Sequence, residues 1–206
     1  MNILNDIWQG LITGSRLDQL NLVLGIVAVG LMIRRSLWAF PVGMVAVTVQ
    51  GILLWQATFY ADAKLQIFFF GCLAYGWWHW VKHRGGQKEL PISTLTWPTR
   101  SVWLGIAVLV TLVWGWWQAN HTDAVMPYRD TFIASFSMVA QILQVRKRLE
   151  NWMGWVLVNA VATSTYWVAG LHYTAFLFGV FLLMGISGWV TWYRAMRSQS
   201  GGSNDA

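Results

Sequence analysis

Seven stretches of this chain are long and apolar enough to leave water: residues 20–33, 38–57, 63–80, 101–118, 131–145, 152–169 and 173–193. Lipid gives a backbone no hydrogen-bond partners, so each stretch must satisfy its own groups, and that selects helices. The first and fifth need flanking polar residues to reach the roughly 20 residues of a bilayer crossing. Charged residues are only 11% of the chain and apolar ones 56%, whereas a water-soluble domain carries about 25% charged residues. Disorder, a collagen-like repeat and a water-soluble enzyme are thereby excluded. The fold class is an all-α integral membrane protein with seven transmembrane helices. One cysteine, Cys72 in an apolar run, rules out a disulfide framework and a Cys-based zinc site.

Residues 1–19 precede the spans. Ile3, Leu4, Ile7, Trp8, Leu11 and Ile12 recur there at helical spacing. With neither a basic start nor a continuous apolar core, the segment is not a cleaved signal peptide. It reads as an amphipathic helix lying in the membrane interface. The net charge of +6 could suggest nucleic acid, but its placement says otherwise. If the helices alternate, Arg34, Arg35, Lys82, Arg84, Lys88, Arg100, Arg146, Lys147, Arg148, Arg194 and Arg197 share one face. These are 11 of the 14 basic residues. The positive-inside rule then puts the N-terminus outside and the C-terminus in the cytoplasm, and no nucleic-acid partner is needed.

Shifting the chain against itself by 112 residues aligns 34–80 with 146–192 without a gap, with 11 of 47 positions identical. Trp55 meets Trp167, and the G-W-x-x-W ending Gly76, Trp77, Trp80 meets Gly188, Trp189, Trp192. This self-similarity predicts two three-helix repeats, 20–82 and 121–193. Between them, 83–120 holds a loop and a linker helix, and 194–206 is a flexible cytoplasmic tail. An odd linker gives both copies one orientation. This 3+1+3 parallel-repeat arrangement is SWEET-like and places a small-molecule site between the copies.

Polar side chains inside a membrane are costly enough to count as site candidates. Trp152, Trp155, Asn159 and Thr163 share one face of the sixth span. Ser137, Gln141 and Gln144 form a stripe in the fifth. Lys64, Gln66, Tyr75 and His79 lie in the third, and Thr48 and Gln50 in the second. Asn and Gln also tie neighbouring membrane helices together. Tryptophans near helix ends read as interface anchors, among them Trp38, Trp80, Trp97, Trp116, Trp117 and Trp192. His79 and His83 are four apart with no further ligands nearby, so no metal site is expected. No nucleophile–base set, paired deep carboxylates or phosphate-binding glycine loop is present, so neither catalysis nor a cofactor is expected. The lack of deep acidic residues argues against proton or sodium coupling. Two indoles and amides fit a planar, cationic or hydroxylated small molecule.

Three motifs carry a resemblance: Y-A-D-A-K-L-Q-I-F-F-F from Tyr60, Y-G-W-W-H-W from Tyr75, and R-K-R-L-E-N-W-M-G-W-V-L-V-N from Arg146 to Asn159. In these the chain resembles the PnuC family of bacterial vitamin transporters. The resemblance implies a homotrimer in the inner membrane and facilitated diffusion of nicotinamide riboside, trapped inside by phosphorylation. It also implies that Trp152, Trp155, Asn159 and Gln66 contact the substrate. Gln141 joins them from the polar stripe alone. Relatives carry thiamine or riboflavin, and Met153, Leu177, Phe178 and Ser187 depart from the patterns of the branches. The cargo stays open between nicotinamide riboside and thiamine or another nucleoside-like vitamin.

Overall fold

Helix ends follow local chemistry. Ser15 and Asp18 form a reciprocal capping box that starts one helix, and prolines 98 and 127 sit in the first turns of two others, where a missing N–H costs nothing. The computed structural model describes residues 3–83 and 89–201. Among them eight helices follow in order: α1 (Ile3–Thr13), α2 (Arg16–Ile33), α3 (Ala39–Gln56), α4 (Tyr60–Lys82), α5 (Trp97–His121), α6 (Pro127–Val145), α7 (Asn151–Val168) and α8 (His172–Gly201). Met1, Asn2, the basic residues Arg84 and Lys88, and residues 202–206 of the tail lie outside the described residues.

Helices α2 to α8 coincide with the seven stretches expected from hydropathy. Four of them, α2, α3, α5 and α8, are long and apolar enough to cross a membrane on length and composition alone. The other three carry the polar positions: Asp62, Lys64 and Gln66 on α4, Gln141 and Gln144 on α6, Asn151 and Asn159 on α7. α1 is helical, buries none of its residues, and packs against the start of α8. There Gly10 touches the Tyr173 ring so closely that a Cβ would lie 2.3 Å from it.

The 112-residue shift has a geometric counterpart. Arg35 and Lys147 both adopt left-handed backbone, with φ of 58° and 55°, as do Thr58 and Gly170, with φ of 64° and 75°. Each pair is separated by 112 positions. All four close helices in the same manner. Ser36, Phe59, Arg148 and Leu171 each donate a backbone N–H to the carbonyl five residues back, at 2.9 Å. This is the Schellman arrangement that satisfies carbonyls left over at a helix end. Helix contacts pair up likewise: α4 packs on α6 as α8 packs on α2, and α2–α3–α4 pack in sequence as α6–α7–α8 do. α5 packs against α6 and turns Val102, Leu109, Val113 and Trp116 outward.

The basic residues of three connections meet at one end. Glu89 lies 3.0 Å from Arg35 Nε and 3.5 Å from Lys147 Nζ. Glu150 lies 2.8 Å from Arg100 and accepts the Leu95 N–H. The segment before α5 adds a short bridge to the α6–α7 turn, with Leu149 donating to the Ser93 carbonyl and Ser93 to that of Lys147. The Ile92 N–H donates to Gln199 on α8. At the opposite end Asp6 of α1 faces His172 at 3.4 Å.

Candidate functional site

The three polar helices turn toward one space. A cavity of about 380 Å³ lies among α2, α3, α4, α6, α7 and α8. Gln66, Gln141, Trp152, Trp155 and Asn159, the five residues singled out from sequence, all line it, together with Gln50 and Gln144. Among the described residues that line it, no side chain carries a charge. A wider space of about 900 Å³ adjoins it on the α1 side, sharing Gly25, Val47, Gln50, Gln66, Phe178 and Phe181.

Toward the basic end the cavity is closed by packed aromatic rings. Phe40 meets Trp80 edge-on, with ring centroids 5.0 Å apart, and Trp152 meets Trp192 in the same way at 5.5 Å. Phe40 and Trp152 are again 112 positions apart, as are Trp80 and Trp192. Each ring rests on a glycine with no room for a Cβ: at Gly76 it would fall 2.6 Å from Phe40, at Gly188 2.5 Å from Trp152. The two outer indoles cross between the copies. Trp80 donates to the Val145 carbonyl at 2.9 Å and Trp192 to the Met32 carbonyl at 3.2 Å. Trp80 and Trp192 are therefore not interface anchors, as their place near helix ends suggested. They are 2% and 0% exposed, because each indole packs into the core and its N–H reaches a carbonyl at the facing helix end. Trp38, Trp97, Trp116 and Trp117 are exposed, as anchors would be.

The wall formed by α6 and α7 presents donors. Trp152 Nε1, Trp155 Nε1 and Gln141 Nε2 are buried and bond to no acceptor among the described residues. A buried donor without a partner costs about 1–3 kcal/mol, and here three border one cavity. Asn159 differs. Its amide N–H donates to the Trp155 carbonyl at 2.7 Å, which leaves its oxygen as the available group. Gln66 makes only a long contact to the Asp62 carbonyl, at 3.5 Å. Trp152 is almost fully enclosed and forms the floor, whereas Trp155 is only partly buried. This wall can accept a neutral or delocalised ring flanked by acceptor oxygens. Among the described residues no group of three or more His, Cys, Asp or Glu is placed to hold a metal ion.

A family model described as nicotinamide mononucleotide transporter matches residues 15–194. This chain belongs to that family of transporters, the PnuC family. The nicotinamide riboside transporter PnuC of Escherichia coli (strain K12) is 25% identical over 210 residues, covering 90% of this chain and 88% of the relative. The riboflavin/roseoflavin transporter RibM of Streptomyces davaonensis is 28% identical over 195 residues, covering 87% of this chain and 86% of that one. A crystal structure of the vitamin B3 transporter PnuC shares the fold, with a TM-score of 0.75 at 20% identity, covering 95% of this chain and 90% of the other. Membership in the PnuC family and the apolar helices together make this a multi-pass membrane protein.

Sequence reasoning noted Gln50 and Gln144 as polar without assigning them to a site, and it missed Phe181, Gly25 and Gly185 of the lining. The signal for Gln144 was present, since it lies three positions after Gln141 on one helix face. The glycines gave none, because a small residue marks close approach without saying to what.

Proposed function

We propose that this PnuC-family protein mediates facilitated diffusion, in the direction of uptake, of nicotinamide riboside across the bacterial inner membrane. Phosphorylation in the cytoplasm traps the cargo. One observation carries the reading: the cavity combines two indoles and several amides with no charged side chain. A cationic pyridinium ring gains roughly 0.5–2 kcal/mol over an indole face. The unpartnered N–H groups of Trp155, Trp152 and Gln141 suit ribose hydroxyl and carboxamide oxygens. A phosphate would bring a charge of about −2 into a space without a cation, and burying an unpaired ion costs several kcal/mol. The nucleoside is thus favoured over the mononucleotide that the family description names. Trp152, Trp155, Asn159, Gln66 and Gln141 are the contacts assigned to it.

The same reading takes the chain as seven spanning helices in a 3+1+3 arrangement. α2–α4 and α6–α8 are parallel copies, α5 the linker and α1 an interfacial helix, while residues 194–201, expected as part of a flexible tail, instead continue α8. The matched left-handed turns and the crossed Trp80 and Trp192 bonds support it. The basic end faces the cytoplasm, the molecules assemble as homotrimers, and rocking of the copies alternates access. Its enclosed state toward that end corresponds to a cavity reached from outside. A second reading keeps the class and changes the cargo to riboflavin, and the 28% identity to RibM favours it. The test is uptake by liposomes containing the purified protein. Saturable nicotinamide riboside entry down its gradient, unaffected by proton or sodium gradients, is expected. Entry that requires either ion gradient would overturn the uncoupled mechanism.

A further inference from the structure

The cavity's polar wall lies on α6, α7 and α4, yet one polar group faces it from α3. Gln50 lines both the cavity and the wider space beside it, so a molecule passing from one to the other meets it. Its Oε1 accepts a hydrogen bond from Asn21 Nδ2 on α2. An amide has one acceptor end and one donor end, and which faces where is decided by the network it joins. With the oxygen held by Asn21, the Nε2 end remains, and no described residue engages it.

The plain alternative is that Asn21 and Gln50 only tie α2 to α3, as paired amides do between membrane helices. The second copy answers it. At the positions 112 residues on stand Ile133 and Ala162, and α6 packs against α7 there with no polar pair. Ala162 is fully buried and Ile133 packs beside Phe136 and Val158. The same helix pairing therefore forms from apolar contacts alone. What differs between the copies is the cavity wall that each pair adjoins.

We infer that Gln50 is a further specificity-determining contact, offering its amide N–H to an acceptor oxygen of the cargo, and that Asn21 is the positioning residue that holds that end toward the cavity. The inference rests on the cargo class proposed above, a hydroxylated ring compound rich in acceptor oxygens. Gln50 lines the cavity from α3, whereas Gln141 and Trp155 line it from α6 and α7, so the ligand would be gripped by N–H groups from more than one wall. Without Asn21 the amide is free to turn its carbonyl inward, which opposes an acceptor oxygen.

The test is a double-mutant cycle on the purified full-length protein, titrated calorimetrically with nicotinamide riboside, thiamine and riboflavin. Asn21→Leu and Gln50→Leu should each weaken nicotinamide riboside binding by about tenfold, and the double variant by about tenfold as well instead of a hundredfold. Thermal unfolding without ligand should move little, since an apolar pair serves the second copy. The exchanged pair Asn21→Gln with Gln50→Asn should recover most of the affinity. Unchanged affinity in either single variant, additive losses, or losses that track unfolding would overturn the inference and leave the cargo reading standing. Silence toward nicotinamide riboside with a response to another of the three would sink that cargo, and the cycle judged on the responding vitamin would decide Asn21 and Gln50 by the same criteria. A wild-type protein silent to all three would overturn both.

Discussion

Trp152 and Trp155 lie one helical turn apart in identical chemistry and opposite surroundings. Trp152 repeats the place of Phe40: both rings cover a glycine and meet an indole edge-on. Packing at this site is thus met by a benzene ring in the other copy. What Trp152 adds is an indole N–H without a protein acceptor. Trp152→Phe should leave the thermal unfolding midpoint within a few degrees of wild type while weakening nicotinamide riboside binding about threefold to tenfold, the loss of one hydrogen bond. Calorimetry with an unfolding scan checks both, and a large fall in the midpoint would make Trp152 a packing residue only. Helical periodicity was enough to place Trp155, Asn159 and Gln141 on inward faces, because polar groups on apolar helices stand out. It misplaced Trp80 and Trp192, since a tryptophan at a helix end reads alike whether it meets lipid or a facing carbonyl.

Among the elements, each closing helix depends on a glycine. At Gly188 a Cβ would stand 2.5 Å from three ring carbons of Trp152, so that ring, packed edge-on against Trp192, would have to shift. Gly188→Ala should destabilise the protein by about 1–3 kcal/mol, the usual cost of overpacking, and loosen the inner closure. Gly170, with a left-handed backbone and nothing near its absent Cβ, offers the contrast. Gly170→Ala should cost only about 1 kcal/mol through backbone strain. Unfolding measurements rank the two, and a greater loss at Gly170 would contradict the packing account. The existence of every helix from α2 onward was legible as an apolar run, and the G-W-x-x-W recurrence pointed to the repeat. The left-handed turns were not, because Arg35, Thr58 and Lys147 carry no sequence mark of that conformation, and only Gly170 does.

At the scale of the molecule, two similar halves enclose a dissimilar site. Trp155, Asn159 and Gln141 face the cavity from one copy, where the other supplies Gly43, Val47 and Val29 at the corresponding positions. The halves are also joined at the basic end by one carboxylate. Glu89 reaches Arg35 and Lys147, the two left-handed turn residues that correspond by the 112-residue shift. The proposed rocking of the halves would break this bridge. Glu89→Gln should therefore speed labelling, by a reagent reaching the basic end, of a thiol placed by Gln144→Cys, in a Cys72→Ala background, by several-fold, the response of an equilibrium shifted by about 1 kcal/mol. An unchanged rate would remove Glu89 from the closure. The central claim, however, is the charge-free cavity, and titrating the purified protein calorimetrically with nicotinamide riboside and nicotinamide mononucleotide tests it most directly. The riboside should bind saturably and the mononucleotide at least about a hundredfold more weakly, because its phosphate finds no cation. Equal or tighter binding of the mononucleotide would contradict the account.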